Sequence, residues 1–281
     1  MQVLVAGSKE FISEWVAAKM QIVGSILEGL RGLSSRHVAL YLLRQAGDGC
    51  RIVYYLRTTP RDMIEEFIQT FDADLRDTFQ SIVGLVLDDR QWEQASYSVK
   101  RSGLGLCRAA DIADAAYLAS RHATFDECLT VDLLHEWDDG VPRMGEDEPI
   151  GEWLSGCIGR VNATIPEQSK FELGVRPTVT IKQGLVMELV NAKRRDAMVE
   201  SSNSWDRARL EATAASHAGA WVEAPPNRAT DTLLSNAEVQ YGVGRRLGVE
   251  ICEECACPFC WELWTVLGHT VSLVWLAGTR Q

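Results

Sequence analysis

The chain has 281 residues, 46% of them hydrophobic, enough for one large or two smaller domains with a real core. Its net charge of -11, from 39 acids against 28 lysines and arginines, excludes a protein that coats nucleic acid indiscriminately, because phosphate binding needs clustered cations. No run nears the roughly eighteen apolar residues that span a bilayer, and apolar residues 1–6 lack the basic lead of a secretory signal, so no membrane partner is expected.

Helical periodicity dominates. Ser8 is placed to cap a helix carrying Phe11, Trp15, Ala18, Ile22, Ile26 and Leu30 on one stripe, closing near Gly32. Ser34 or Ser35 caps the next, through Val38, Tyr41, Leu42 and Gln45, broken at Gly47 and Gly49. Residues 52–56 suit strand or helix alone; their helical neighbours make them helix. Thr59-Pro60 predicts a helix start, a capping hydroxyl followed by proline at the first position. Behind it, Met63, Ile64, Phe67, Phe71, Leu75, Phe79 and Ile82 form a core-facing stripe. Asp88 or Asp89 caps a short helix holding Trp92, Gly103 and Gly105 mark a turn, and 108–122 is an alanine-rich helix. A helix follows over 125–137. The acidic stretch 138–148, with glycine, proline and few apolar residues, predicts a boundary or linker. Helices resume over 150–161, 179–199, 205–215 and 237–247, the last ending at Gly248, with Pro225-Pro226 between the final two. The expected fold class is mostly α, with no internal repeat.

Near the C-terminus Cys252, Cys255, Cys257 and Cys260 fall within nine residues, followed by His269. Thiolates and an imidazole at such spacing can hold one zinc ion, and a closed four-ligand site is structural because it activates no water. The ligand set expected is Cys255, Cys257, Cys260 and His269, with Cys252 as an alternative; the plain alternative is a reduced cysteine-rich tail without metal. Cys50, Cys107, Cys128 and Cys157 are scattered, as reduced packed thiols are, which fits an intracellular protein of cytoplasm or nucleus.

Other chemistry-like patterns have simpler explanations. Asp88-Asp89 resembles a magnesium-holding pair, yet it lacks the hairpin and third carboxylate such a box needs, so helix capping accounts for it. Asp138-Asp139 belongs to the acidic stretch. Gly103-Leu104-Gly105 is too short for a phosphate loop. His122 and His135 sit near helix ends without a nucleophile partner, and His217 suits a helix C-terminus. Basic groups recur at Arg51, Arg57 and Arg61, at Lys100, Arg101 and Arg108, at 193–195, and at Arg245 and Arg246; each reads alone as a solvated helix face.

The order of segments carries more than any one motif. Residues 53–60 (VYYLRTTP) come first, then 92–96 (WEQAS), 103–106 (GLGL) and 115–120 (AAYLAS). Residues 216–221 (SHAGAW) and 257–260 (CPFC) close the series. In that order they resemble the region downstream of the polymerase palm in non-long-terminal-repeat (non-LTR) retrotransposon reverse transcriptase polyproteins, from about residue 7 to 271, most loosely over 140–200.

The resemblance implies a helical thumb-like bundle over 1–140, a helical linker region over 141–248, and a zinc-knuckle-like segment over 249–281. In that family the palm lies upstream, so its catalytic aspartates are not expected here and the chain is expected to be no enzyme. Cys257, Cys260 and His269 would be three zinc ligands. The family's fourth, a cysteine shortly after the histidine, is replaced by Leu273, so Cys255 or Cys252 substitutes or the knuckle is incomplete; a reading-frame shift near Leu273 would also account for it. Weak, salt-sensitive RNA or DNA binding follows as an expectation, through Arg51, Arg57, Arg61, Lys100 and Arg101. Self-association through apolar helix faces left bare without the palm is also expected. The competing reading is an all-helical interaction or scaffold module with a zinc clip and no nucleic-acid role, which the net charge favours.

Overall fold

The computed structural model describes residues 9–47, 52–124, 127, 150–172, 182–249, 255, 256, 263 and 264. These residues are mostly helical. Helix α1 (Lys9–Arg31) leads to α2 (Arg36–Leu42), which runs on into a π-helical turn, Leu43–Gly47. There follow α3 (Val53–Thr58), α4 (Glu65–Val83), α5 (Asp89–Ser96) and α6 (Ala109–Ala123). Then come α7 (Ile150–Asn162), α8 (Gln183–Glu200), α9 (Ser204–Ala214), the single turn α10 (Ala220–Glu223) and α11 (Asn236–Leu247). A two-residue antiparallel ladder pairs β1 (Cys255–Ala256) with β2 (Leu263–Trp264). The helix expected over 125–137 and the acidic stretch 138–148 lie outside the described residues, apart from Glu127.

Helix α4 is the central post. Its stripe Phe67, Phe71, Leu75, Phe79 and Ile82 is buried as its spacing predicts, and each such side chain contributes roughly 1.5–3 kcal/mol by leaving water. Trp15 of α1 meets Tyr55 of α3 edge-on at 5.0 Å, Phe67 stacks on Phe71 at 6.4 Å, and Trp92 of α5 covers Phe79 at 6.0 Å.

The start of α4 differs from expectation. Pro60 is extended, Arg61–Met63 form a 3-10 turn, and the helix begins only at Glu65. The Thr59 hydroxyl is buried and makes no hydrogen bond, so it caps nothing. Ile64 is instead drawn into the core at the junction, and Arg61 binds Glu65 across one turn at 2.7 Å.

Helix α1 meets its expectation in part. Of the expected stripe, Trp15 and Leu30 are buried and Ile26 packs against the core, while Phe11 and Ile22 face outward, 47% and 57% exposed; Val16, Val23 and Leu27 are buried beside them.

Helix α6 is covered on two sides. Ala109, Ile112, Ala113 and Ala116 join the main core, while Ala115, Tyr117 and Leu118 pack with Cys157 and Val161 of α7 and Val186 and Val190 of α8. Its N-terminus is capped from another helix: Asp72 of α4 accepts the Ala109 and Ala110 N–H groups at 2.6 and 3.0 Å. Helix α5 is capped as expected, by a reciprocal Asp88–Gln91 box.

The main core also takes in Val222, Val239, Val243, Leu247 and Val249. Gly248, at φ 72°, ends α11 in the left-handed conformation.

Candidate nucleic-acid interface and metal cluster

Among the expected phosphate contacts, Arg51 lies outside the described residues. Arg57 donates Nε and Nη2 to the Gln183 side chain, at 3.2 and 2.9 Å. Arg101 grips Glu188 one turn further along α8, at 3.0 and 2.9 Å. Arg61 is committed on three sides: to Glu65, to the Ala110 carbonyl at 3.2 Å, and to Asp114 at 3.9 Å. The bond to Glu65 raises the Arg61 pKa above its ordinary value against the opposing effect of burial. Lys100 is exposed and has no ion pair among the described residues. The fold therefore brings Arg57 and Arg101 to one helix, but as clamps on α8, and turns Arg61 inward.

The remaining arginines follow the same pattern. Arg160 of α7 bridges Asp62 and Asp114, at 3.0 and 2.8 Å, tying α7 to α6 and to the turn before α4. Arg194 of α8 reaches Asp111 at 2.8 Å and Glu93 at 3.2 Å. Burial alone would raise the Asp111 pKa, but Arg108 and Arg194 outweigh it and hold that carboxyl below its usual range. Arg90 and Arg209 share Asp206. These arginines are thus interleaved with acids.

One residue read as a solvated helix end is in fact the centre of a junction. Arg246 is 3% exposed and donates Nη2 to the Val99 carbonyl at 2.6 Å, Nε to Gly103 at 2.7 Å, and Nη1 to Ala218 at 3.3 Å. Burial lowers its pKa to about 10, with the neighbouring Arg44 adding to the effect, so the guanidinium stays charged at neutral pH. The side chain of Gln94 donates to the Ser102 and Arg246 carbonyls, both at 2.9 Å, and accepts from Arg209. A Cβ at Gly103 would overlap the Tyr97 carbonyl, and one at Gly219 would overlap the Val99 side chain. Segments 92–96, 103–106 and 216–221 therefore meet at one place. Residues 53–60 contribute α3, which packs against α6, the helix that contains 115–120. No sequence pattern announces a cage of carbonyls.

Asp88 and Asp89 are kept apart from other carboxylates: the first caps α5, and the second reaches Arg76 at 2.7 Å. His122 packs edge-on against Phe171 at 5.8 Å, and burial lowers its pKa. His217 occupies an exposed left-handed turn, φ 65°, beyond the end of α9, and His135 lies outside the described residues. The Cys157 thiol is buried against the Asp114 carbonyl, and burial pushes its pKa up, which makes it inert.

In the cysteine cluster, Cys255 pairs across the ladder with Trp264, and Ala256 with Leu263. The six residues 257–262, which include Cys257 and Cys260, connect the two strands. Cys252, Cys257, Cys260 and His269 themselves lie outside the described residues, among which no group of potential metal ligands gathers. No described helix is long and apolar enough to cross a membrane. Compared with protein-family models, curated proteins and solved structures, the chain matches none.

Proposed function

We propose that this chain is a non-catalytic region of a non-LTR retrotransposon reverse transcriptase, the helical part that follows the polymerase palm, with weak residual affinity for a template–primer backbone. One observation carries this reading. Three of the segments that bear the resemblance, 92–96, 103–106 and 216–221, meet at the Arg246 junction, where Gly103 and Gly219 have no room for a side chain and Gln94 is bonded to the Arg246 carbonyl. A chance likeness would fall as readily on exposed helix faces. Phosphate contacts of this kind position a duplex without reading its sequence. The cytoplasm or nucleus is the corresponding location.

A second reading is favoured by a different observation. Arg57, Arg61 and Arg101 are already engaged by Gln183, Glu65 and Glu188, so a phosphate would have to displace these partners. That suits a helical interaction or scaffold module whose arginines serve the fold. In both readings the C-terminal cysteines, Cys255, Cys257 and Cys260 with His269, or Cys252 in place of one thiol, form a structural zinc clip.

Fluorescence anisotropy with a labelled RNA–DNA duplex, run on zinc-loaded protein across a salt series, separates the two. The first reading expects binding at low salt that weakens steeply as salt rises, with no nucleotide incorporation by the pure protein. Absence of binding at low salt leaves the scaffold reading. Incorporation overturns both.

A further inference from the structure

The seam between α2 and the C-terminal segment 220–249 is closed mostly by groups that do not titrate near neutrality. The Arg36 backbone N–H donates to the Asn236 side chain at 2.8 Å, and its guanidinium to Gln240 at 2.8 Å. Gln240 in turn donates to the Gly84 carbonyl at 2.8 Å, Asn236 to the Ser34 carbonyl at 2.9 Å, and Arg44 to the Val222 carbonyl. One bond in the seam differs. His37, 2% exposed, accepts the Leu234 N–H at its Nδ1 at 3.0 Å, immediately before the Ser235 cap of α11.

From this geometry we infer that His37 is an acid-sensitive latch holding segment 220–249 on the helical body. An imidazole that accepts at Nδ1 carries its proton on Nε2. That Nε2 is buried and makes no well-formed hydrogen bond. A second proton can enter only at Nδ1, where an N–H would then face the Leu234 N–H, donor against donor. The latch bond is lost and a cation is left buried in the seam.

The charged groups on the elements that pack here are committed elsewhere. Arg36, on the same helix, is held by Asn236 and Gln240, and Arg44 beyond it by Val222. On the docking segment Glu238 accepts the Ser235 N–H, and from α1 Arg31 reaches Thr78 and the Asp74 carbonyl of α4. Burial therefore dominates and lowers the His37 pKa below its ordinary value, with the Trp221 backbone opposing. The sign follows. A histidine lowered in the folded state contributes stability that is complete above its unfolded pKa, about 6.5, and is lost as pH falls towards the folded value. Opening would bare Val222, Val239, Val243 and Leu247.

Hydrogen exchange of the full chain at about pH 7.5 and about pH 5, corrected for intrinsic rates, tests the latch. Protection of 220–249 is expected to fall on acidification, by up to about tenfold for each unit between the unfolded and folded pKa of His37, while the α4 amides keep theirs. His37→Asn retains an acceptor at the same place without titrating, and should flatten the response. The imidazole titration of His37 by NMR in the unaltered protein reads the same point should that variant fail to fold. Unchanged protection, an equal acid response in H37N, or a His37 pKa at or above the ordinary value would each overturn the latch.

Discussion

The α4 neighbourhood and the C-terminal segment 204–249 are held by different means. Around α4 the joints are rings and aliphatic side chains: Phe67, Phe71, Leu75 and Phe79 are fully buried, and Trp15, Tyr55 and Trp92 close around them. The C-terminal segment adds valines to the same core, but its position is set by arginines aimed at backbone carbonyls, Arg246 at Val99, Gly103 and Ala218, and Arg44 at Val222. Apolar burial is non-directional and tolerates small shifts, whereas a guanidinium on fixed carbonyls specifies one register. The body is thus organised by volume and the docked segment by direction.

The sharpest way to break the first half of that contrast is Phe71→Ala. It leaves a cavity at the centre of the core and should cost about 3–5 kcal/mol, read as a lower denaturation midpoint with one cooperative transition. A loss below about 1 kcal/mol would mean that the surrounding helices collapse freely and that packing does not organise the body.

Arg246→Met addresses the other half. Methionine fills similar volume but leaves the Val99, Gly103 and Ala218 carbonyls without their donor, at a cost of about 1–3 kcal/mol for each group left bare, offset in part by relief of the buried charge. The net expectation is about 3 kcal/mol, smaller than or comparable to the phenylalanine deletion but different in distribution. Hydrogen-exchange protection should fall first at 97–106 and 216–249, ahead of α4. Uniform loss over the whole chain would erase the distinction between the regions.

What was legible in the sequence divides along the same line. The α4 stripe could be read because each apolar residue falls three or four after the last and all face one partner. The α5 cap could be read because Asp88 and Gln91 lie three residues apart and satisfy each other locally. Helix α1 was read in part, because apolar residues lie on both sides of its expected stripe and the tertiary neighbour decides which of them are covered. Thr59-Pro60 misplaced a helix start because burial of Ile64 outweighed a local capping preference. Arg246 was illegible for a deeper reason: its acceptors are backbone oxygens, which every residue possesses, so its partners leave no mark on composition or spacing. Among the five arginines and lysines singled out for phosphate, the acids and amides that claim Arg57, Arg61 and Arg101 lie up to 126 residues away or on an adjoining turn. Periodicity therefore revealed the helices, while the cation partners required the fold.

The smallest expected effect lies at the border between the two modes, in the cap that Asp72 places on α6. Burial pushes this carboxyl up to about 6, against the opposing pull of the Ala110 and Ala109 N–H groups. The folded state therefore holds a proton that the unfolded chain, with a carboxyl near its ordinary 3.8, has already released. In that window the folded state binds more protons, so stability declines as pH rises from about 4 to about 6 and is level above. Asp72→Asn keeps one acceptor for the helix end and removes the titration. The stability of the unaltered protein minus that of Asp72→Asn should then decrease across this window, by no more than about 1.4 kcal/mol per pH unit. Paired urea titrations at a series of pH values measure this difference. A difference that instead grows with pH would mean that the two N–H bonds prevail over burial, making the cap a net stabiliser in its charged form and placing α6 with the directionally held part of the molecule.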